Sequence, residues 1–212
     1  STIQPQDVIG LQREGAHQLP RIPVDEKLLQ SALNELESLV GMQKIKKQIR
    51  DMVHLVRFYK ENGKDVLNRF FLHTVLVGNP GTGKTTIARI LTDIYKALGI
   101  LERGHMIETD RQGLVAGYVG QTAIKTTEKI DEAIGGVLFI DEAYALSSTG
   151  GHSDYGQEAI QTLLKRMEDD RGAFFVFVAG YPDNMEAFLK ANPGLSSRFD
   201  KILKFEDYEP DE

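Results

Sequence analysis

The stretch that most limits how this chain can fold is "FLHTVLVGNPGTGKTTIARILTDI", residues 71–94. A short apolar run of strand length leads into a glycine-rich turn. After the turn, Ile87, Ile90, Leu91 and Ile94 recur at helical spacing. The turn itself, "GNPGTGKT" (78–85), fills every fixed position of G-x-x-x-x-G-K-[ST]. Gly78, Gly81 and Gly83 let the backbone fold closely enough for its N–H groups to surround phosphates. The N-terminus of the next helix adds further amides to the same nest. Asn79, Pro80, Gly81, Thr82, Gly83, Lys84, Thr85 and Thr86 are therefore the candidate nucleotide contacts. Lys84 would reach the β- and γ-phosphates and the Thr85 hydroxyl would coordinate Mg²⁺. A plain strand-to-helix glycine turn is the structural alternative, and the flanking strand and helix argue against it.

The rest of the chain repeats this alternation. "HMIET" (105–109), "VLFID" (137–141), "FFVFVA" (174–179) and "KILKF" (201–205) read as further strands after "FLHTVLV" (71–77). Helical patterns fill the gaps, for example Ile160, Leu163, Leu164 and Met167. Strand and helix in series predict a five-stranded parallel sheet covered on both faces. Ahead of it, residues 1–23 are polar and hold Pro5, Pro20 and Pro23, so a linker or loose arm is expected there. Asp25 is placed to cap a leading helix over 24–38 with its stripe at Leu28, Leu29, Ala32, Leu33 and Leu36. A second helix follows "VGM" (40–42) and ends near "ENGKD" (61–65).

The second chemical motif is "VLFIDEA" (137–143). Four apolar residues deliver Asp141 to the carboxyl end of a buried strand, the edge where open α/β sheets bind ligands. A carboxylate there can hold Mg²⁺, and Glu142 is then placed to orient or deprotonate an attacking water. Without the glycine loop, Asp–Glu after a strand would read as a helix cap. No N-K-x-D guanine-reading motif occurs, which disfavours a GTPase.

Composition narrows the remaining classes. The formal net charge is −6, and no Lys/Arg run dominates, so an electrostatic case for nucleic acid is missing. "KIKKQIR" (44–50) is the most basic segment, but Ile45, Ile49, Met52, Val53 and Val56 make it the solvated face of an amphipathic helix. There is no cysteine, which excludes thiolate chemistry and fits a cytoplasmic setting. No apolar run approaches the roughly 18 residues that a membrane span needs. The histidines at 17, 54, 73, 105 and 152 lack metal-ligand spacing and read as surface or packing residues.

Taken together, "GNPGTGKT", "LFIDEA", a preceding "LVGM" and a later "SRF" resemble an AAA+ ATPase module. The longer phrases "YVGQTAIKT", "GGVLFIDEAYAL", "DYGQEAIQTLLKRMED", "VAGYPDNM" and "NPGLSSRF" are more specific. They resemble the branch containing the red-type rubisco activases (CbbX/CfxQ), the stage V sporulation protein K group and the type VII secretion ATPases. The resemblance covers roughly residues 36–209. It implies a P-loop NTPase fold with residues 39–209 as the large ATPase subdomain. The family's helical lid is expected to be absent here, residues 210–212 being only the start of its connection.

The resemblance also implies roles. Val40 and Gly41 would lie against the adenine, and Arg198 of "SRF" would act as an arginine finger toward a neighbouring subunit's γ-phosphate. For Arg198, a surface ion pair is the alternative. The polar residue that positions water at the fourth strand's end would be Tyr181 or Asn184. "LVAGYVGQT" (114–122) falls where AAA+ rings carry a pore loop, and Tyr118-Val119-Gly120 fits its aromatic–aliphatic–glycine pattern; a buried Tyr118 is the alternative. The loop "SSTGGHSDYGQ" (147–157) is either a second pore loop or an ordinary exposed connection. The implied whole is a homo-oligomer, a hexamer, using ATP and Mg²⁺ to remodel a protein partner. A DNA-directed motor or a nucleotide-gated scaffold without turnover are the other readings of the same core.

Overall fold

The computed structural model describes residues 22–68, 70, 72–147 and 155–207. The described elements run in chain order as α1 (Glu26–Ser38), α2 (Gln43–Glu61), a 3₁₀ turn (Val66–Asn68), β1 (His73–Val77) and α3 (Lys84–Ala97). There follow β2 (Met106–Thr109), α4 (Arg111–Leu114), α5 (Gln121–Ala133), β3 (Val137–Ile140) and a 3₁₀ helix over Ala143–Ser147. The last elements are α6 (Tyr155–Asp169), β4 (Phe175–Gly180), α7 (Pro182–Ala191), α8 (Pro193–Ser196) and β5 (Phe199–Lys204). The five expected strands are all present. The arm expected over 1–23 lies outside the described residues except for its last two, as do 148–154 of the expected loop and residues 210–212.

The strands pair in parallel in the order β2-β3-β4-β1-β5. Period-two alternation then sorts their side chains onto two faces. Leu76, Val137, Phe139, Phe175, Phe177 and Leu203 join α1, α2 and α3 in one core. Val75, Val77, Leu138, Ile140, Val176 and Val178 join α5, α6 and α7 in the other. β1, β3 and β4 are buried along their whole length, which is why they read as unbroken apolar runs rather than alternating ones.

Local chemistry sets the helix ends. The Asp25 side chain accepts from Leu28 N–H at 3.0 Å and starts α1. One reading is corrected at the other end of α1. Lys46 belongs to the basic segment expected on a solvated face, yet it is only 3% exposed. Its ammonium donates to the carbonyls of Leu39 and, at 3.3 Å, Glu37, groups that the last turn of α1 leaves without partners. Lys44 and Lys47 of the same segment do face solvent. On the edge strand β5, Gln48 of α2 donates to the Ile202 carbonyl at 3.3 Å, which occupies part of an otherwise open edge.

Candidate functional site

The candidate site forms at the carboxyl edge of the sheet, where β1, β3 and β4 end. β1 runs into Gly78, whose N–H donates to Gly180 O at the end of β4 (3.1 Å). A side chain at Gly78 would come within 2.7 Å of Phe205 Cβ and 2.9 Å of Thr82 Oγ1, so only glycine fits. Gly81 and Gly83 take φ of +74° and +98°, in the left-handed region that glycine enters freely. Gly83 is the N-cap of α3 and supplies no capping side chain, which leaves first-turn amides for an anion.

A cavity of about 450 Å³ opens against this turn, lined by Pro80, Gly81, Gly83, Lys84, Thr85, Thr86, Asp141, Glu142, Gly180 and Tyr181. Residues 56 positions apart in sequence, Thr85 and Asp141, thereby share one wall-to-wall space. Its volume falls in the ~300–1,000 Å³ range of ordinary ligand pockets. Lys84 Nζ donates to Gly78 O (2.6 Å) and Asn79 O (2.9 Å), which folds the ammonium over its own loop. Burial lowers its pKa, and the Asp141 charge opposes that shift.

Asp141 N–H donates to Thr109 O at 2.8 Å, continuing the β2–β3 ladder, and its Oδ1 accepts from Glu142 N–H at 3.0 Å. Glu142 sits at φ +50°, a strained conformation for a residue with a long side chain. Tyr181 reaches this cavity, whereas Asn184 lines an adjoining one of about 540 Å³ with Asn79 and Tyr181. Asn79 itself donates to Asp207 Oδ1 at 2.8 Å, and Thr82 Oγ1 donates to Asn79 O at 2.6 Å, closing the turn from within.

Val40 is exposed and Gly41 takes φ +69°. The contact between this segment and the glycine turn runs through Met42, which sequence reasoning did not single out. A Cβ on Gly83 would lie 2.8 Å from Met42 Cε. Met42 also has a positive φ, +58°, at the N-cap of α2. Nothing in a methionine's chemistry announces a left-handed backbone, so the sequence carried no signal for it.

Arg198 lies elsewhere. It precedes β5, whose Phe199 pairs with His73 at the start of β1, so it marks the amino edge of the sheet. A five-residue β1 at roughly 3.3 Å per residue separates it from the glycine turn by about 16 Å. Its Nη1 donates to Gly194 O (2.6 Å) and its Nη2 lies 3.6 Å from Glu168, the ion pair that was the alternative reading. Tyr118 and Val119 are 77% and 86% exposed in this chain, and the buried alternative for Tyr118 does not hold. The loop's two feet are joined by Thr122, whose buried hydroxyl accepts from Ala116 N–H at 3.0 Å. His73 is a buried packing residue and His54 is exposed, and no metal-ligating cluster occurs among the described residues.

A parallel sheet in this order, with a glycine cradle after β1 and two carboxylates after β3, defines a P-loop nucleotide-binding unit. More particularly, residues 74–207 match the family described as "ATPase family associated with various cellular activities (AAA)", and the chain belongs to that family. It is 42% identical over 183 residues to stage V sporulation protein K of Bacillus subtilis, covering 85% of this chain and 56% of that protein. To ESX-1 secretion system protein EccA1 of Mycobacterium tuberculosis it is 44% identical over 192 residues, 88% of this chain and 33% of the relative. A CfxQ homolog of Pyropia yezoensis is 44% identical over 191 residues, 89% of this chain and 64% of the relative.

These relatives are the branch that the sequence phrases resemble. The chain spans between a third and two thirds of their lengths. The crystal structure of the FIGL-1 AAA domain in complex with ADP superposes with a TM-score of 0.55 over 99% of this chain and 64% of that one, at 21% identity, which supports the fold. Membership of an ATPase family makes this a nucleotide-binding chain. No helix among the described residues is long and apolar enough to cross a membrane.

Proposed function

We propose that the chain is the Mg²⁺-dependent, ATP-hydrolysing core of a homo-oligomeric ring, a hexamer, that remodels a protein partner through its centre. The observation that carries this reading is the shared cavity: cradle, Lys84, Thr85, Asp141 and Glu142 line one space. That donor set fits a hydrated Mg²⁺ with a hydroxyl, a carboxylate and phosphate oxygens, the hard oxygen ligands it takes. When bound, the ion would neutralise charge on the β- and γ-phosphates.

The chain's own residues do the rest. The backbone amides of Gly81 to Thr86 and the Lys84 ammonium hold the phosphates, with Asn79 and Pro80 shaping the turn, Thr85 and Asp141 hold the ion, and Val40 and Gly41 face the base with Met42. Glu142 accepts a proton from the attacking water, and Tyr181 at the cavity wall orients that water in preference to Asn184. Because Arg198 stands at the opposite edge of its own sheet, a finger role requires a second copy of the chain. There it would neutralise charge on the transferring phosphoryl group. Tyr118, Val119 and Gly120 form the substrate-gripping loop, and the exposure of both large side chains supports this. In this reading residues 39–209 are the large ATPase subdomain, preceded by the 24–38 helix, and the setting is the cytoplasm.

Glu142→Gln tests the assignment of chemistry. Binding of a fluorescent ATP analogue should stay within about threefold of the parent. Phosphate release should fall by roughly 10²–10⁴, the usual contribution of a general base. Undiminished release would remove Glu142 from the mechanism. A parent chain that binds ATP but never releases phosphate, even when assembled, would replace the motor with a nucleotide-gated scaffold.

A further inference from the structure

Arg111 joins the two ends of the machine, and nothing in the motifs assigns it a role. It opens α4, the short turn between β2 and the Tyr118 loop. Its guanidinium crosses to the 3₁₀ helix that follows Asp141 and Glu142, where Nη1 donates to Ala145 O at 2.8 Å. That 3₁₀ helix is itself anchored on Glu142, whose carbonyl accepts from Ala145 N–H at 2.9 Å. The peptide linked to Glu142 through its N–H is therefore the neighbour of the carbonyl that Arg111 holds.

The space around the guanidinium is shaped for it. A Cβ on Gly156 of α6 would come within 2.7 Å of Arg111 Nη1 and 1.9 Å of Leu146 O, so the helix approaches flush only because residue 156 is glycine. From α4 onward the connection to the loop is also built. Leu114 O accepts from the buried Thr126 hydroxyl at 2.9 Å, and Lys125 Nζ donates to Gln112 O at 2.6 Å. Ala116 and Thr122 then close the base of the loop that carries Tyr118. A movement of the Glu142 turn thus has a hydrogen-bonded route into the loop's near foot. Removing the Arg111–Ala145 bond takes away a direct side-chain tie from α4 to that turn and leaves the hydrogen bonds of α4 to α5 in place.

We infer that Arg111 is a positioning residue that couples the nucleotide-dependent position of the Glu142 turn to the Tyr118-Val119-Gly120 loop. The inference rests on the reading of that loop as nucleotide-responsive. The 212-residue chain contains no cysteine, so Val119→Cys gives a unique attachment point for an environment-sensitive fluorophore at the loop tip. Emission is compared with saturating Mg²⁺-ADP and with Mg²⁺ and a slowly hydrolysed ATP analogue.

In the labelled parent the two states should differ. Arg111→Met keeps the aliphatic stem but removes the donors. It should cut the difference at least fivefold while nucleotide affinity stays within about threefold. Arg111→Lys, which restores one donor, should recover at least half of the difference. A full response in Arg111→Met overturns the coupling role and leaves the loop's assignment standing. No response in the labelled parent overturns the loop's assignment itself. Should Arg111→Met weaken nucleotide binding or melt early, Arg111→Lys decides. A Lys variant that binds and melts like the parent yet shows no response overturns the inference as stated, and a recovered response upholds it.

Discussion

His73 shows how a residue can be read correctly in kind while its consequence stays hidden. Its ring is buried between Phe175 and Phe199, and Nδ1 accepts the Val176 N–H at 2.9 Å. The bond requires the neutral ring with its proton on Nε2. Burial, with added repulsion from Arg171 and Arg198, pushes its pKa from 6.5 down to about 3. The folded value lies below the unfolded one, so between pH 6.5 and 3 the unfolded chain binds the proton and the native chain does not. Stability is therefore lost as pH falls through this window and is unaffected above it. At 1.36 kcal/mol per unit, the contribution is about 2 kcal/mol lost by pH 5. Urea unfolding at pH 7 and pH 5 should show this dependence reduced by that amount in His73→Asn, which keeps an acceptor but does not titrate. An equal pH dependence in the two proteins would show that the ring titrates freely.

At the scale of elements, the Tyr118 loop is exposed at its tip and tied at its base. Thr122 is fully buried, and its hydroxyl accepts from Ala116 N–H and faces Ala116 O at 3.4 Å. Glu158 of α6 adds a bond to Ala123 N–H at 3.3 Å, supplying the cap that Gly120 does not. Thr122→Val is nearly isosteric but leaves the half-buried Ala116 amide without this partner. It should cost about 1–3 kcal/mol in urea unfolding and speed hydrogen exchange at Ala116. Gly156→Ala tests the neighbouring junction: its methyl would meet Leu146 O, and overpacking of this kind costs about 1–3 kcal/mol. Gly117 and Gly120 flank Tyr118 and Val119, and glycines on both sides make a poor core strand because they lose the most backbone entropy on ordering, so that much of the loop is legible in the sequence. Thr122 and Glu158 are not, because a threonine or glutamate on an amphipathic helix looks the same whether it faces water or a loop's unpaired amide.

For the whole molecule, the two edges of the sheet have different work. The carboxyl edge gathers the cavity residues, and the amino edge carries Arg198. A chain of this geometry cannot complete its own site with its own arginine, so the ring reading makes a mixing prediction. Lys84→Ala subunits lack the phosphate lysine but keep Arg198; Arg198→Ala subunits keep the cavity but lack the finger. Each should be inactive alone, the second by ~10³–10⁵. Mixed in equal amounts under assembling conditions, they should regain about a quarter of parental phosphate release, the share of interfaces pairing a whole cavity with a whole finger in a closed homo-oligomer. Absence of recovery, with assembly verified by light scattering, would return Arg198 to its ion pair with Glu168.

By itself the sequence determined the strands, the doubly covered parallel sheet, the glycine cradle and the Asp–Glu pair. Each of these is a local signal: an apolar run, a helical period, or a motif whose glycines act where they stand. Only the tertiary structure decided what is shared between distant segments. It turned Lys46 inward onto the end of α1, set Met42 against Gly83, chose Tyr181 over Asn184 for the cavity wall, and joined Arg111 to Ala145. Such pairings depend on strand order and on carbonyls that helix ends leave open, and neither is written in the spacing of residues along the chain.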